Sequence, residues 1–435
     1  MKKGTRYAAV AATAALAAAS LGMGVSAQAA TRTVTIFGGY AAGDAAAFQD
    51  ELDLAFPASS GIKVKYTSLA SFDTDITTKI KAGQAPNIAM WPQPGGLIAQ
   101  KSQLMNVETV LGKSGFAAIK KTLVPGFELL GKSGSTTYGL PVSANLKSIV
   151  FYNPAVFKAN GWTVPTTQAQ LTALQDKIKA SGKAYPWCAG TESGGATGWS
   201  LTDWMEELVL KTAGVSVYNQ WWQGKIKWTD ARIVKAGNLL ADTLLADGNT
   251  QGGGQGVASR FFGLASTQGL FKSAKGDGAC AMLKQGSFIT GFFPDDIQAE
   301  LKKKDYTHVG VFAYPGTPNL LGGGDTAAVF KKGYNPAVAK VAAYIMSDKM
   351  GTHGYAAKAS GFLSPHKTFS PANFADPLSK QFTSMFSKAS GFGFDGSDQA
   401  PPQVNKTEWS ELTNWFAGKI TMSQAFKLIA DSYNQ

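Results

Sequence analysis

TVTIFGGYAAGDAAAFQDELDLAFPASSGIKVKY, residues 33–66, changes its periodicity twice, and those changes decide the fold. Thr33 to Phe37 is a short apolar, β-branched run that Gly38 and Gly39 stop, which reads as a buried strand. From Asp44 to about Phe56 the pattern is that of an amphipathic helix. After Gly61, Ile62-Lys63-Val64-Lys65-Tyr66 alternates as a second strand. Strand, helix, strand is a βαβ unit, so the chain opens as an α/β fold. Next, Phe72 to Ala82 predicts a helix ended by Gly83, and Pro86 to Trp91 a short strand stopped by Pro92 and Pro94. Ligands of open α/β sheets sit at the carboxyl ends of strands, and Gly38 to Tyr40 and Trp91 to Pro94 occupy two such ends.

Further along, Thr137 to Pro141 and Ser148 to Asn153 read as two strands joined through a polar segment, Ser143 to Lys147. Pro165 is expected to open a helix that runs to about Ala180. The stretch through Ile297 reads as helix-rich, interrupted by a loop at Gly252 to Gly256, with Trp221, Trp222 and Trp228 assigned to helix packing. Strand character returns at Val309 to Ala313 and Ala327 to Phe330, and helices follow at 336–348 and toward the C-terminus. A chain of 435 residues exceeds what one core usually serves, so two lobes are expected, visited more than once by the chain. Several crossings make a hinge.

Lys2, Lys3 and Arg6 precede an Ala-rich apolar run and Ala27-Gln28-Ala29, the pattern of a cleavable secretory signal over residues 1–29. No later apolar run reaches the ~18 residues that would span a bilayer. The net charge of +12 invites a nucleic-acid reading, but the basic residues are scattered, and Lys302-Lys303-Lys304 lies between Glu300 and Asp305 on what reads as a solvated helix end. No nucleic-acid partner is expected. In an exported chain, Cys188 and Cys280 are expected to form a disulfide, with two buried thiols as the alternative.

PWCAGTESGGATGWSLTDW, residues 186–204, brings three indoles, two carboxylates, several hydroxyls and four glycines together. That mixture suits a sugar, whose C–H faces pack on aromatic rings and whose hydroxyls need paired donors and acceptors. A core aromatic cluster beside a Gly-rich turn is the plainer reading of the same residues. Two motif matches fail on context. Gly126 to Ser133 satisfies GxxxxGK[ST], yet turn and strand residues follow where a phosphate-binding helix would have to start. Gly391 to Gly396 satisfies GxGxxG, yet no strand precedes it and Pro401-Pro402 follows. His308, His353 and His366 stand far apart, so neither a metal nor a cofactor is expected. Glu192, Asp203, Asp325, Asp395 and Asp398 fit either glycoside cleavage or acceptance of sugar hydroxyl protons.

Seven segments in order along the mature chain resemble the bacterial extracellular solute-binding proteins of ABC importers, in the carbohydrate group that includes maltose and α-glucoside binders. They are APNIAMWPQPGGL (85–97), YGLPVSANLKSIVFYN (138–153), WCAGTESGGATGWSLTDWMEE (187–207), CAMLKQGSFITGFFP (280–294), GGGDTAAVF (322–330), GFLSPHK (361–367) and DGSDQAPPQVNKTEWSELTNWFAGK (395–419). The resemblance implies an α/β, two-lobed periplasmic-binding-protein fold, type II-like, with three hinge crossings near 141–147, 311–316 and 360–365. The implied lobes are 30–142 with 314–362, and 143–313 with 363–435. It implies a non-enzymatic, monomeric, periplasmic protein that binds a sugar or oligosaccharide and delivers it to a membrane permease. No cysteine near the cleavage site offers lipid attachment. Carried over residue by residue, the ligand-binding set is Tyr40, Trp91, Asn145, Lys147, Glu192, Ser193, Thr197, Trp199, Gln285, Asp325 and Trp409. Pro94, where maltose binders suggest an acidic residue, and Gln399-Ala400, where α-glucoside relatives often show Leu-Met, depart from the pattern. A secreted glycan hydrolase and a same-fold receptor for a non-sugar solute are the competing readings.

Overall fold

A computed structural model of the chain describes residues 31–40, 42–124, 126–358, 362–387, 389 and 391–434. The expected signal segment and residues 360–361 of the third crossing lie outside the described residues. The opening βαβ unit is present as β1 (Arg32–Gly38), α1 (Ala42–Ala55) and β2 (Ile62–Ser68). Val34 and Ile36 of β1 are fully buried, as are Phe48 and Leu52 of α1, so the helix closes one face of the sheet. Helix α2 (Phe72–Lys81) and strand β3 (Ile88–Trp91) follow as expected. β1 lies between β2 and β3, parallel to both. Strand β4 (Gly139–Pro141) and the late-returning β11 (Thr326–Val329) complete this five-stranded sheet, with β11 antiparallel to β3 and β4. Helices α3 (Pro94–Ala99), α4 (Val107–Thr122) and α8 (Pro336–Ile345) pack around it.

The second sheet has four strands: β6 (Ile149–Tyr152), β7 (Tyr185–Trp187), β8 (Cys280–Lys284) and β9 (Gly310–Ala313), in the order β9-β6-β8-β7. A third, small sheet joins β5 (Asn145–Leu146), β10 (Asn319–Gly323) and β12 (Gly391–Phe394). The chain leaves the first sheet after Pro141 and re-enters it at Thr326. Both passages run through the small sheet.

Three local expectations are corrected. The helix expected from Pro165 is α5 (Gln168–Ser181), because the Thr167 hydroxyl accepts from the Gln170 amide and caps it there. The expected loop at 252–256 is mostly helical, α7 (Gly253–Ser259). Gly254 serves packing, since a Cβ there would lie 2.4 Å from the Phe416 carbonyl oxygen. β8 and β10 were not anticipated, since a strand buried on both faces carries no alternation. Helix α6 (Trp199–Trp222) is interrupted at Gly214, with φ 82° and ψ 169°.

The rejected motifs match their structures. Lys132–Ser133 pairs with Thr136–Thr137 as a hairpin, and Gly391–Phe394 is itself a strand. Cys188 and Cys280 form the expected disulfide, tying the loop after β7 to the start of β8 across 92 residues. Such a loop closure contributes about 4–5 kcal/mol on the chain-entropy account. Among the described residues no helix is long and apolar enough to cross a membrane.

Candidate ligand-binding site

A cavity of about 290 Å³ opens between the two main sheets. From the first it takes the two strand ends anticipated above, Gly39 after β1 and Pro92 and Gln93 after β3, together with Leu69 to Thr74, the turn after β2 and the first residues of α2. From the other side come Asn145 and Lys147, the Ser193 to Trp199 loop, Phe262, Phe288 and Asp398. Lys406 and Trp409 of helix α10 (Pro402–Phe416) close it, and Gly324 and Asp325 join from the turn between β10 and β11.

One wall is aromatic. Trp199 packs edge-to-face on Phe262, with ring centroids 5.0 Å apart, and is tilted against Phe288 at 5.9 Å. Trp204 turns inward onto Trp187, 5.1 Å away. Five residues apart, and so about 140° apart round the helix, the two side chains separate into a ligand-facing and a core-facing indole. Gly198 permits this start of α6: a Cβ there would sit 2.2 Å from the Trp409 carbonyl oxygen.

The opposite wall carries carboxylates. The Ser143 hydroxyl donates to Asp325 Oδ2 at 2.6 Å, and the Asp325 amide donates back to Ser143 Oγ at 2.9 Å. Burial raises the Asp325 carboxyl above its ordinary range, and the serine bond offsets part of that rise. Burial pushes Asp73 up to about 6, with Lys406 acting in the opposite direction. The Gln93 amide, turned with its nitrogen toward Asp73, reaches that carboxylate at 3.0 Å.

Lys147 holds the floor. Its ammonium lies 2.9 Å from Asp203, in contact with Asp395, and 3.9 Å from Asp398. Burial alone would lower its pKa, but these three carboxylates outweigh that effect and keep it charged. Asp203 is pushed up to about 7 by burial, against the pull of Lys147. Burial and the neighbouring Asp395 raise the Asp398 carboxyl, which faces the cavity, whereas Lys147 lowers Asp395 against the effect of its burial. Beneath it, Glu206 accepts from the amides of Gly396 and Ser397 at 2.9 and 3.0 Å and from the Tyr218 hydroxyl at 2.6 Å. These bonds fix the short helix α9 (Gly396–Gln399), which aims Asp398.

Of the eleven expected ligand residues, the structure brings Asn145, Lys147, Ser193, Trp199, Asp325 and Trp409 to this cavity. The other five stand elsewhere. Tyr40 lies behind Asp325, stacked on Tyr355 at 5.9 Å. Trp91 is 1% exposed, packed on Phe72 and Phe330, and borders a side chamber of about 80 Å³ that Trp409 also lines. Glu192 turns its carboxylate onto its own loop, accepting from the Gly194 amide at 2.8 Å. The Thr197 hydroxyl also turns onto that loop, donating to the Gly194 carbonyl and accepting from the Ser193 amide. Gln285 is buried and accepts from the Gly286 amide. Asp73, Gln93, Phe262, Phe288 and Lys406 were missed. Gln93 lies in the Trp91–Pro94 stretch already flagged as a strand end, whereas nothing local marks Phe262 or Phe288. Asp398 was recognised only as a candidate carboxylate. Among the described residues no group of three or more His, Cys, Asp and Glu is placed to hold a metal ion.

The family profile described as bacterial extracellular solute-binding protein matches residues 27–352. The alpha-glucosides-binding periplasmic protein AglE of Rhizobium meliloti is 32% identical over 403 residues, 91% of this chain and 85% of its own. The osmoprotective compounds-binding protein GgtB of Synechocystis sp. is 32% identical over 372 residues, 83% and 84% of the two chains. Among solved structures, the bacterial solute receptor AcbH, described as preferring β-D-galactopyranose, superposes with a TM-score of 0.72 at 18% identity, over 93% of this chain and 97% of its own. A chitin oligosaccharide binding protein gives 0.72 at 19% identity, over 93% and 98%. At these identities the structures speak to the fold: the two-lobed architecture of solute-binding proteins.

Proposed function

The chain belongs to the bacterial extracellular solute-binding proteins, and from that premise we propose that it captures a sugar or oligosaccharide, α-glucoside-like in character, for an ABC importer. One observation carries this reading: a single cavity is lined both by aromatic faces and by hydroxyl-pairing carboxylates and amides. Trp199, Phe262 and Phe288 offer surfaces for C–H faces, and Asp325, Asp73, Asn145 and Gln93 offer partners for a rim of hydroxyls. The relationship to AglE favours an α-glucoside. The relationship to GgtB supports a second reading, a small osmoprotective compound, in the same cavity.

In this reading the lobes, 30–142 with 314–362 and 143–313 with 363–435, close about the crossings and bury the ligand. The open protein samples closure, and contacts from both lobes shift the population. The protein acts as a periplasmic monomer, docks closed on a permease, and releases the ligand unaltered. A thermal-shift screen over α-glucosides, β-linked saccharides and osmolytes tests it. Ligand at 100 times its Kd adds about 2.7 kcal/mol of stability, so an α-glucoside should raise the melting temperature clearly. A flat response to every saccharide would defeat the reading, and monosaccharide released from an intact oligosaccharide would favour the hydrolase instead.

A further inference from the structure

We propose that Gly95 is a closure-determining residue, whose missing side chain allows the two lobes to meet beside the ligand cavity. Gly95 belongs to α3, which sits on the first sheet: a Cβ on its neighbour Gly96 would touch the Trp91 ring at 3.4 Å. Facing it is α9 with Ala400, held to α6 of the other lobe by Glu206, Tyr218 and the Ser397–Thr202 hydroxyl pair. A Cβ on Gly95 would lie 2.0 Å from the Ala400 carbonyl oxygen and 3.0 Å from that of Gln399. Both are backbone atoms, so no rotamer change relieves the overlap. Only separation of α3 from α9 does.

Among the described residues, the three atoms nearest such a Cβ all belong to Gln399 and Ala400, on the far side of the contact. Gly95 lies in a helix, it is absent from the positions with left-handed backbone, and alanine is the better helix former. The same short helix α9 carries Asp398 into the cavity, so the contact that seats Ala400 on Gly95 also sets how far Asp398 advances toward a ligand. A methyl group at residue 95 would therefore favour the open form and weaken every ligand that needs closure, without touching one. This inference rests on hinge closure of the two lobes and not on which sugar is bound.

Gly95→Ala, with Gly96→Ala as control, tests it by titration calorimetry and small-angle X-ray scattering. The expected result has four parts: unliganded Gly95→Ala melts at or above the wild-type temperature, its affinity for the sugar falls at least ten-fold, its scattering profile stays extended at concentrations that compact the wild type, and Gly96→Ala behaves as wild type. Unchanged affinity would overturn the proposal. So would a loss of affinity with normal compaction, or a variant that fails to fold. If no sugar compacts the wild type, the sugar reading falls by itself. The contact is then read in the unliganded proteins, where the wild type should hold a compact fraction that Gly95→Ala lacks, and superposable profiles would overturn it.

Discussion

Trp199 and Lys147 share one small volume, with the ammonium 5.5 Å from the indole centroid. Their roles differ. Trp199 gives a face to the cavity, so Trp199→Ala should weaken sugar binding at least ten-fold, about 1.4 kcal/mol, by calorimetric titration. Lys147 compensates three buried carboxylates, so its removal leaves uncompensated charge in the interior. Lys147→Met should cost about 3–5 kcal/mol of folding stability, read as a lower denaturant midpoint at unchanged slope. Recognising Lys147 and Asp325 in the sequence was possible because their segments resemble a known pattern. Their actual partners were not legible, because Asp203, Asp395 and Asp398 reach Lys147 from 56 and more residues away. Glu192 shows how local partners compete for a side chain: a carboxylate in a Gly-rich loop accepts from a backbone amide two residues on.

At the scale of elements, the strands and helices of the first lobe followed from periodicity because half-buried strands and surface helices display it. β8 does not, since all five of its residues are buried, and neither does the helix at Gly253–Ser259, where Gly254 is demanded by Phe416, distant in sequence. The 24-residue run of α6 is likewise two helices in fact, divided at Gly214, where the backbone adopts a region open almost only to glycine. A Cβ at Gly214 meets nothing within 4 Å, so the cost of adding one is conformational alone. Gly214→Ala should therefore destabilise the fold by about 1–3 kcal/mol, measured by urea unfolding, and a neutral result would mean the break is not required.

Across the whole molecule, buried acids set the response to pH. Burial pushes Asp203 up to about 7 and Glu408 up to about 8, so between pH 8.5 and 6.5 the folded protein takes up protons that the unfolded chain does not. Stability must then rise as pH falls through that window. Below about 6.5 His366 opposes the gain, because burial lowers it to about 4 and the unfolded chain binds its proton first. Melting temperatures at constant ionic strength should thus increase from pH 8.5 to 6.5, and a decrease would contradict these assignments. The two-lobed organisation, unlike the pH response, was readable from the sequence, since a strand-rich start, a helical middle and returning strands force the chain to cross between bodies. Which loops meet in the gap was only partly readable, because the cavity is assembled from at least six separate stretches of chain. Solute capture in the proposed manner requires this gap to hold one sugar between the lobes. Titration of the purified protein with an α-linked glucose disaccharide, followed by calorimetry, tests it most directly: saturable binding of one intact sugar per chain, weakened by Trp199→Ala, is the expected result, whereas binding indifferent to Trp199 or no binding to any saccharide would contradict it.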